Sequence, residues 1–153
     1  MNARTTFERI SLVVALTAVL APLGAPGASA GMIAPQRSAM FLATNGSRAE
    51  RAIRAVDLST AISTLARQHS LAMAEQQDLF HTEDPAGTYL EGMRWRTWGE
   101  NVGVTGGSVA DLQAAFMRSA GHRANILNPA FKHVAIGAVR RDGILWVTIV
   151  FWG

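Results

Sequence analysis

Three places in this chain carry side chains able to do chemistry: His81, the Glu100-Asn101 pair, and Gly121-His122-Arg123. The last lies in residues 116–131, FMRSAGHRANILNPAF, with a helical pattern before it and a pair of strand patterns after it. Two neutral imidazoles, His81 and His122, can hold a divalent cation such as Zn2+ and leave positions open for water or a carboxylate. Bound zinc would lower the pKa of its water, with Glu100 as the candidate catalytic base. The spacing argues against a full catalytic centre, which takes three protein ligands. No His-Glu-x-x-His run sets two ligands on one helix face.

The same residues also have a structural reading. His81 then caps or bridges loops. Glu100 accepts backbone N–H groups or pairs with Arg96 or Arg123, and a backbone carbonyl locks His122. Arg123 and Asn125 read as support, a guanidinium and an amide tying their loop to neighbouring carbonyls. Asn101 does the same beside its strand. Ser70 and Ser119 are poor nucleophiles, because neither sits in a Gly-x-Ser-x-Gly elbow. Trp95 and Trp98 either belong to the core or line a groove for an apolar or sugar ligand.

The elements that must position these residues can be read in order. Residues 40–51 are weakly helical, with Met40, Phe41 and Leu42 facing inward and Asn45-Gly46 weakening the pattern. The clearest helix runs from Asp57 or Ser59 to Gln77. Leu58, Ala61, Ile62, Leu65, Ala66, His69, Ala72 and Met73 form its apolar stripe. His69 on that stripe reads first as a hydrogen-bonded core residue. Asp84-Pro85 offers an N-cap with proline at N1 for a short helix to about Arg94. Residues 95–99 read as a turn and 100–104 as a strand. Ser108 and Asp111 have capping-box spacing, so a helix follows to about Ser119, burying Val109, Leu112 and Phe116. Gly121 is expected to stop it, and one more turn fits 122–127 before Asn128-Pro129.

The chain closes in a hairpin. Residues 133–140 and 144–152 flank Arg141-Asp142-Gly143, and Asp-Gly between apolar runs is a strong hairpin signal. The second run, ILWVTIVFW, is apolar on both faces, which places it mid-sheet with cover on both sides. The fold class expected is α+β, a three-layer α–β–α sandwich with a C-terminal antiparallel hairpin in the central sheet.

Composition sets the compartment. Arg4 and Arg9 precede the apolar run Leu12–Leu20, helix breakers follow, and Ala28-Ser29-Ala30 is a small-x-small cleavage pattern. Residues 1–30 therefore read as a secretory signal peptide cleaved after Ala30. The alternative, a membrane anchor, is disfavoured by the short apolar run, so no stable span is expected after cleavage. Residues 31–39 read as a flexible lead and 40–153 as the domain, long enough to bury a core. The net charge is only +3, and no basic block interleaves with aromatics, which argues against nucleic acid. The chain has no cysteine, so disulfides, thiolate metal sites and a cysteine nucleophile are excluded.

The motif order resembles the CAP superfamily (cysteine-rich secretory, antigen 5 and pathogenesis-related proteins; SCP domains), in a bacterial, cysteine-free form. The residues that carry the resemblance are Asn45-x-x-Arg48, Leu65-Ala66-x-x-His69-Ser70-x-x-Met73-Ala74, Phe80-His81-Thr82 and Gly99-Glu100-Asn101. Ser119-x-Gly121-His122-Arg123-x-Asn125-Ile126-Leu127 and the hairpin complete it. The resemblance implies the α–β–α sandwich, export, and a cleft of two histidines and two acids that binds a divalent metal in some relatives. His81, Glu100 and His122 match three of those four positions. Where the resemblance implies a helix tryptophan and an acid three residues later, this chain has Phe116 and Ser119. Ile149 stands where many relatives have glutamine. Two functions compete. One is a non-catalytic module, secreted or periplasmic, whose His/Glu cleft binds a lipid, cell-envelope or protein ligand. The other is a metal-dependent hydrolase or peptidase using His81, Glu100 and His122. The missing acid and the incomplete catalytic set favour the module.

Overall fold

The computed structural model describes residues 35–153. The expected leader, 1–30, and residues 31–34 of the lead lie outside them. The fold is built outward from β4 (Ile144–Trp152). It pairs antiparallel with β3 (His133–Arg141) on one side and with β2 (Trp98–Thr105) on the other. β1 (Asp57–Leu58) runs parallel to β3, so the sheet order is β1-β3-β4-β2. The hairpin turn is two residues, Asp142 and Gly143, both at positive φ (50° and 79°). That geometry matches the right-handed twist of the strands it joins.

Strand alternation splits the core into two layers. Leu145, Val147, Ile149 and Phe151 of β4 face Met40, Leu112, Phe116 and Ile126. Those residues belong to α1 (Pro35–Ala49), α4 (Val109–Arg118) and α5 (Ala120–Ile126). Val150 and Trp152 face the other way, toward Ala66, Tyr89 and Leu90. Trp146 on the same face meets Met73 and Ala74. These come from α2 (Thr60–Gln76) and α3 (Pro85–Leu90). The result is the α–β–α sandwich, with both faces of β4 buried as its unbroken apolar run requires.

Several local expectations change. Residues 35–39, read as lead, open α1. Its buried stripe is Met40, Thr44 and Arg48 at four-residue spacing. Leu42 lies half a turn off that stripe and is 69% exposed. Asn45-Gly46 leaves the helix intact. Asn45 instead turns its amide onto Val56, accepting from Val56 N (2.9 Å) and donating to Val56 O (3.1 Å). Arg48 is fully buried, and among the described residues no carboxylate pairs with it. Nε donates to Arg54 O, one terminal nitrogen to Ile126 O and Asn128 O, and the other to Phe131 O. One guanidinium thus pins α1, α5 and the approach to β3.

The buried face of α2 is Ser63, Ala66, Ser70, Met73 and Ala74, and Ala61 is exposed. Small residues make this contact because helix and sheet approach closely. A Cβ on Gly137 would collide with the backbone of Ala66 and Arg67. Ser63 Oγ accepts from Ile136 N at 2.9 Å, tying the helix to β3. The α3 helix ends at Leu90 rather than near Arg94, because Glu91 is extended and Gly92 has φ 71°. The strand expected at 100–104 begins at Trp98, within the expected turn. The Ser108–Asp111 capping box forms as read. The break after α4 falls at Ser119, which is extended, and Gly121 lies inside α5.

Candidate functional site at the edge of the sheet

β2 is an edge strand. Its alternation sends the neighbours Glu100 and Asn101 to opposite faces of the sheet. Glu100 points to the α2–α3 side, where its side chain is 2% exposed. Gln77, at φ 54°, ends α2 and turns the chain toward that edge, delivering Leu79 to Thr82. His81 Nδ1 lies 2.8 Å from Glu100 Oε1. A carboxylate accepts, so Nδ1 carries a proton, on a ring that is 62% exposed. Thr82 N also donates to Oε1 (3.0 Å), and Thr82 Oγ1 donates to Oε2 (2.6 Å). Thr82 has then given its proton, so Tyr89 O–H donates to Thr82 Oγ1 at 2.7 Å. Burial, helped by the Glu100 carboxylate, pushes the Tyr89 phenol up to about 12. Glu100 is therefore a buried support that orients His81.

A second polar chain lies on the same face. His69 Nδ1 meets Thr148 Oγ1 at 3.0 Å, and Thr148 Oγ1 lies 2.9 Å from Ser70 Oγ. Ser70 also reaches Ala66 O at 3.1 Å, and its buried hydroxyl serves this network. The His69 ring sits edge-on to Phe80, with centroids 5.1 Å apart. Its Nε2 is buried with no partner among the described residues. Burial lowers the His69 pKa; Glu100 opposes that shift and His81 adds to it.

On the opposite face Asn101 is fully buried and donates to His122 O at 3.0 Å. Asn125 Nδ2 bridges Asn101 Oδ1 (2.9 Å) and Glu100 O (3.2 Å). The two amides fasten α5 to the strand. Gly99 leaves room for this, since a Cβ there would lie 2.6 Å from Asn125 Oδ1. Arg123 donates to Met117 O at 3.1 Å from an exposed position. The His122 ring packs 4.9 Å from that of Phe116. Burial lowers the His122 pKa, and the neighbouring His81 charge lowers it further.

Between these walls runs a cavity of about 270 Å3. Leu79 borders one side, Val102 and Val104 form the floor, and Leu112, Phe116 and His122 form the other side. Its lining is mainly apolar. The residues named from the sequence do gather at one strand edge, but in distinct roles. His81 and His122 flank the edge, Glu100 holds His81, and Asn101 and Asn125 hold α5. The ion pair of Glu100 with Arg96 or Arg123 does not form. Sequence reasoning missed Thr82 and Tyr89. Thr82 directly follows His81, and the strand alternation that turns Glu100 toward the α2–α3 face was the available signal. The residues do not fit a protein-held zinc. Among the described residues no three His, Asp or Glu side chains gather at metal-ligand range. Both Glu100 oxygens are already engaged by His81 and Thr82.

Fold and site together define an α–β–α sandwich protein with an apolar edge cleft that has His122 in its wall. The cysteine-rich secretory protein (CAP) family model matches residues 41–151, and the chain belongs to that family. It is 30% identical over 108 residues to YkwD of Bacillus subtilis, covering 67% of this chain and 42% of that protein. A cysteine-rich secretory protein from Staphylococcus aureus superposes with a TM-score of 0.63 at 24% identity, over 76% of this chain and 38% of that one. An extracellular SCP-domain protein from Bacillus anthracis gives 0.64 at 23%, over 76% and 40%. The chain thus spans about two fifths of the length of these three proteins. No helix among the described residues is long and apolar enough to cross a membrane.

Proposed function

We propose that this chain is an exported, extracellular binding module whose edge cleft takes an apolar group of a lipid or lipid-bearing cell-envelope molecule. The observation that carries the reading is the mainly apolar cavity at the β2 edge, with His122 in its wall. An apolar pocket with few polar groups is the usual form of a ligand site, the polar groups fixing orientation. His122 supplies such a group in the wall, while His81, pre-oriented by Glu100, stands at the same strand edge outside the lining. Export is supported by the leader pattern in residues 1–30 and by the extracellular relative.

The test uses cis-parinaric acid as a fluorescent apolar probe, with mass spectrometry of solvent extracts from protein purified out of its native source. Saturable probe binding is expected. Ala115→Trp, which fills the cavity from its rim, should weaken it by about tenfold, a loss of ~1.4 kcal/mol, without lowering Tm. No saturable binding together with clean extracts overturns the reading. The rival, a divalent-metal hydrolase on His81, Glu100 and His122, requires a zinc-dependent rise in Tm that a His81→Ala/His122→Ala variant loses. The donor set described above makes an unchanged Tm the expected result.

A further inference from the structure

A cavity of about 530 Å3 opens at the sheet end where β2 and β3 begin and β4 finishes. It falls within the roughly 300–1,000 Å3 typical of small-molecule sites. Arg94, Arg96 and Lys132 line it together with Trp95 and Met93. Two separate segments bring the three cations together, and both are anchored to the end of β4. Arg96 N donates to Gly153 O (2.7 Å), Gly153 N to Thr97 O (3.1 Å), and Lys132 N to Trp152 O (2.9 Å). Backbone pairing therefore holds the two cation-bearing segments at the same end of the sheet. Among the described residues no carboxylate lies within ion-pair distance of any of them. Glu91 does not line the cavity; Gly153 completes the lining, its oxygen already accepting from Arg96 N and Thr97 N. Trp95 is 39% exposed, a large apolar ring presented beside the charges.

We propose that this cavity binds an anionic saccharide, a sugar chain carrying carboxylate or phosphate groups. Two guanidiniums offer paired N–H donors that match either anion. The lysine adds a point charge, and the indole offers an apolar face to the C–H side of a sugar ring. None of these residues lines the β2 cleft, so this site stands or falls independently of the lipid reading.

The test titrates purified protein with four polymers of matched length: neutral dextran, carboxymethyl-dextran, phosphorylated dextran and polyglutamate. At least one anionic dextran should bind about tenfold or more tighter than both neutral dextran and polyglutamate, the scale of one charge-assisted hydrogen bond. Comparing the two anionic dextrans identifies the anion. Arg94→Ser/Arg96→Ser/Lys132→Ser should abolish the preference for anionic over neutral dextran, whereas the distant control Arg67→Ser keeps it. Trp95→Ala should reduce the anionic dextran to the level of polyglutamate. The substituted side chains are exposed, so melting curves should match the parent; if the triple variant melts early, Arg94→Gln replaces it. Polyglutamate binding as tightly as the dextrans, or a triple variant that binds unchanged, overturns the proposal. So does the absence of dextran binding.

Discussion

Replacing Arg48 by methionine should be among the most damaging single changes in the domain. The guanidinium donates four hydrogen bonds to backbone carbonyls, two of them, at Ile126 O and Phe131 O, in buried surroundings. Hydrogen bonds from a charged group contribute about 1.5–3 kcal/mol each, but the desolvation of the guanidinium offsets much of that sum. Burial indeed lowers the Arg48 pKa, although an arginine stays charged. Methionine fills the stem volume and relieves the buried charge, yet leaves two buried carbonyls unpaired at ~1–3 kcal/mol each. A net loss of ~3–5 kcal/mol follows, a large part of the ~5–15 kcal/mol that holds a domain. Tm should fall by roughly 12–20 °C. Urea unfolding of Arg48→Met, Arg48→Lys and the surface control Arg51→Met is the assay. Lysine keeps the charge, but one ammonium cannot span four carbonyls, so it should fall between the other two. An Arg48→Met loss no larger than that of Arg51→Met would refute the argument that this cage joins α1 to α5 and β3.

Two further outcomes follow from the geometry. Gly137→Ala should cost about 3 kcal/mol or more in urea unfolding, because the added methyl meets the α2 backbone, which cannot rotate away; a loss under ~1 kcal/mol would mean that α2 can shift. Folding lowers the pKa of His69 and of His122 below the ordinary 6.5, chiefly by burial. The unfolded chain then takes up their protons first on acidification, so their stabilisation is present above about pH 6.5 and is lost as pH falls toward the folded-state values. The urea midpoint should drop between pH 7.5 and 5, and His69→Gln/His122→Gln should flatten that drop.

The sequence by itself determined the elements whose signals are local. The apolar run of β4, alternating onto two covered faces, required a buried central strand. Asp142-Gly143 set the hairpin, and Ser108 with Asp111 set the start of α4. The signals for these features are residue types within short windows, so they can be read without knowing which distant segments supply the cover. His81, Glu100 and His122 were brought into one neighbourhood by the resemblance in motif order, not by local spacing. Their division of labour was decided by the tertiary structure. Strand alternation sends Glu100 and Asn101 apart, but only the return of the chain after α2 supplies His81 and Thr82 to hold the carboxylate. The α2 stripe held at Ala66 and Met73, with Ile62 and Leu65 packed against the core, but it missed Ser63 and Ser70, because large apolar residues dominate a periodicity reading whereas small ones make the close contact. Arg48 shows the limit most clearly. Its partners are backbone carbonyls at residues 54, 126, 128 and 131, and every residue type carries a carbonyl. No side-chain pattern can announce such a cage, so only the packed chain, bringing distant segments within hydrogen-bond reach, determines it.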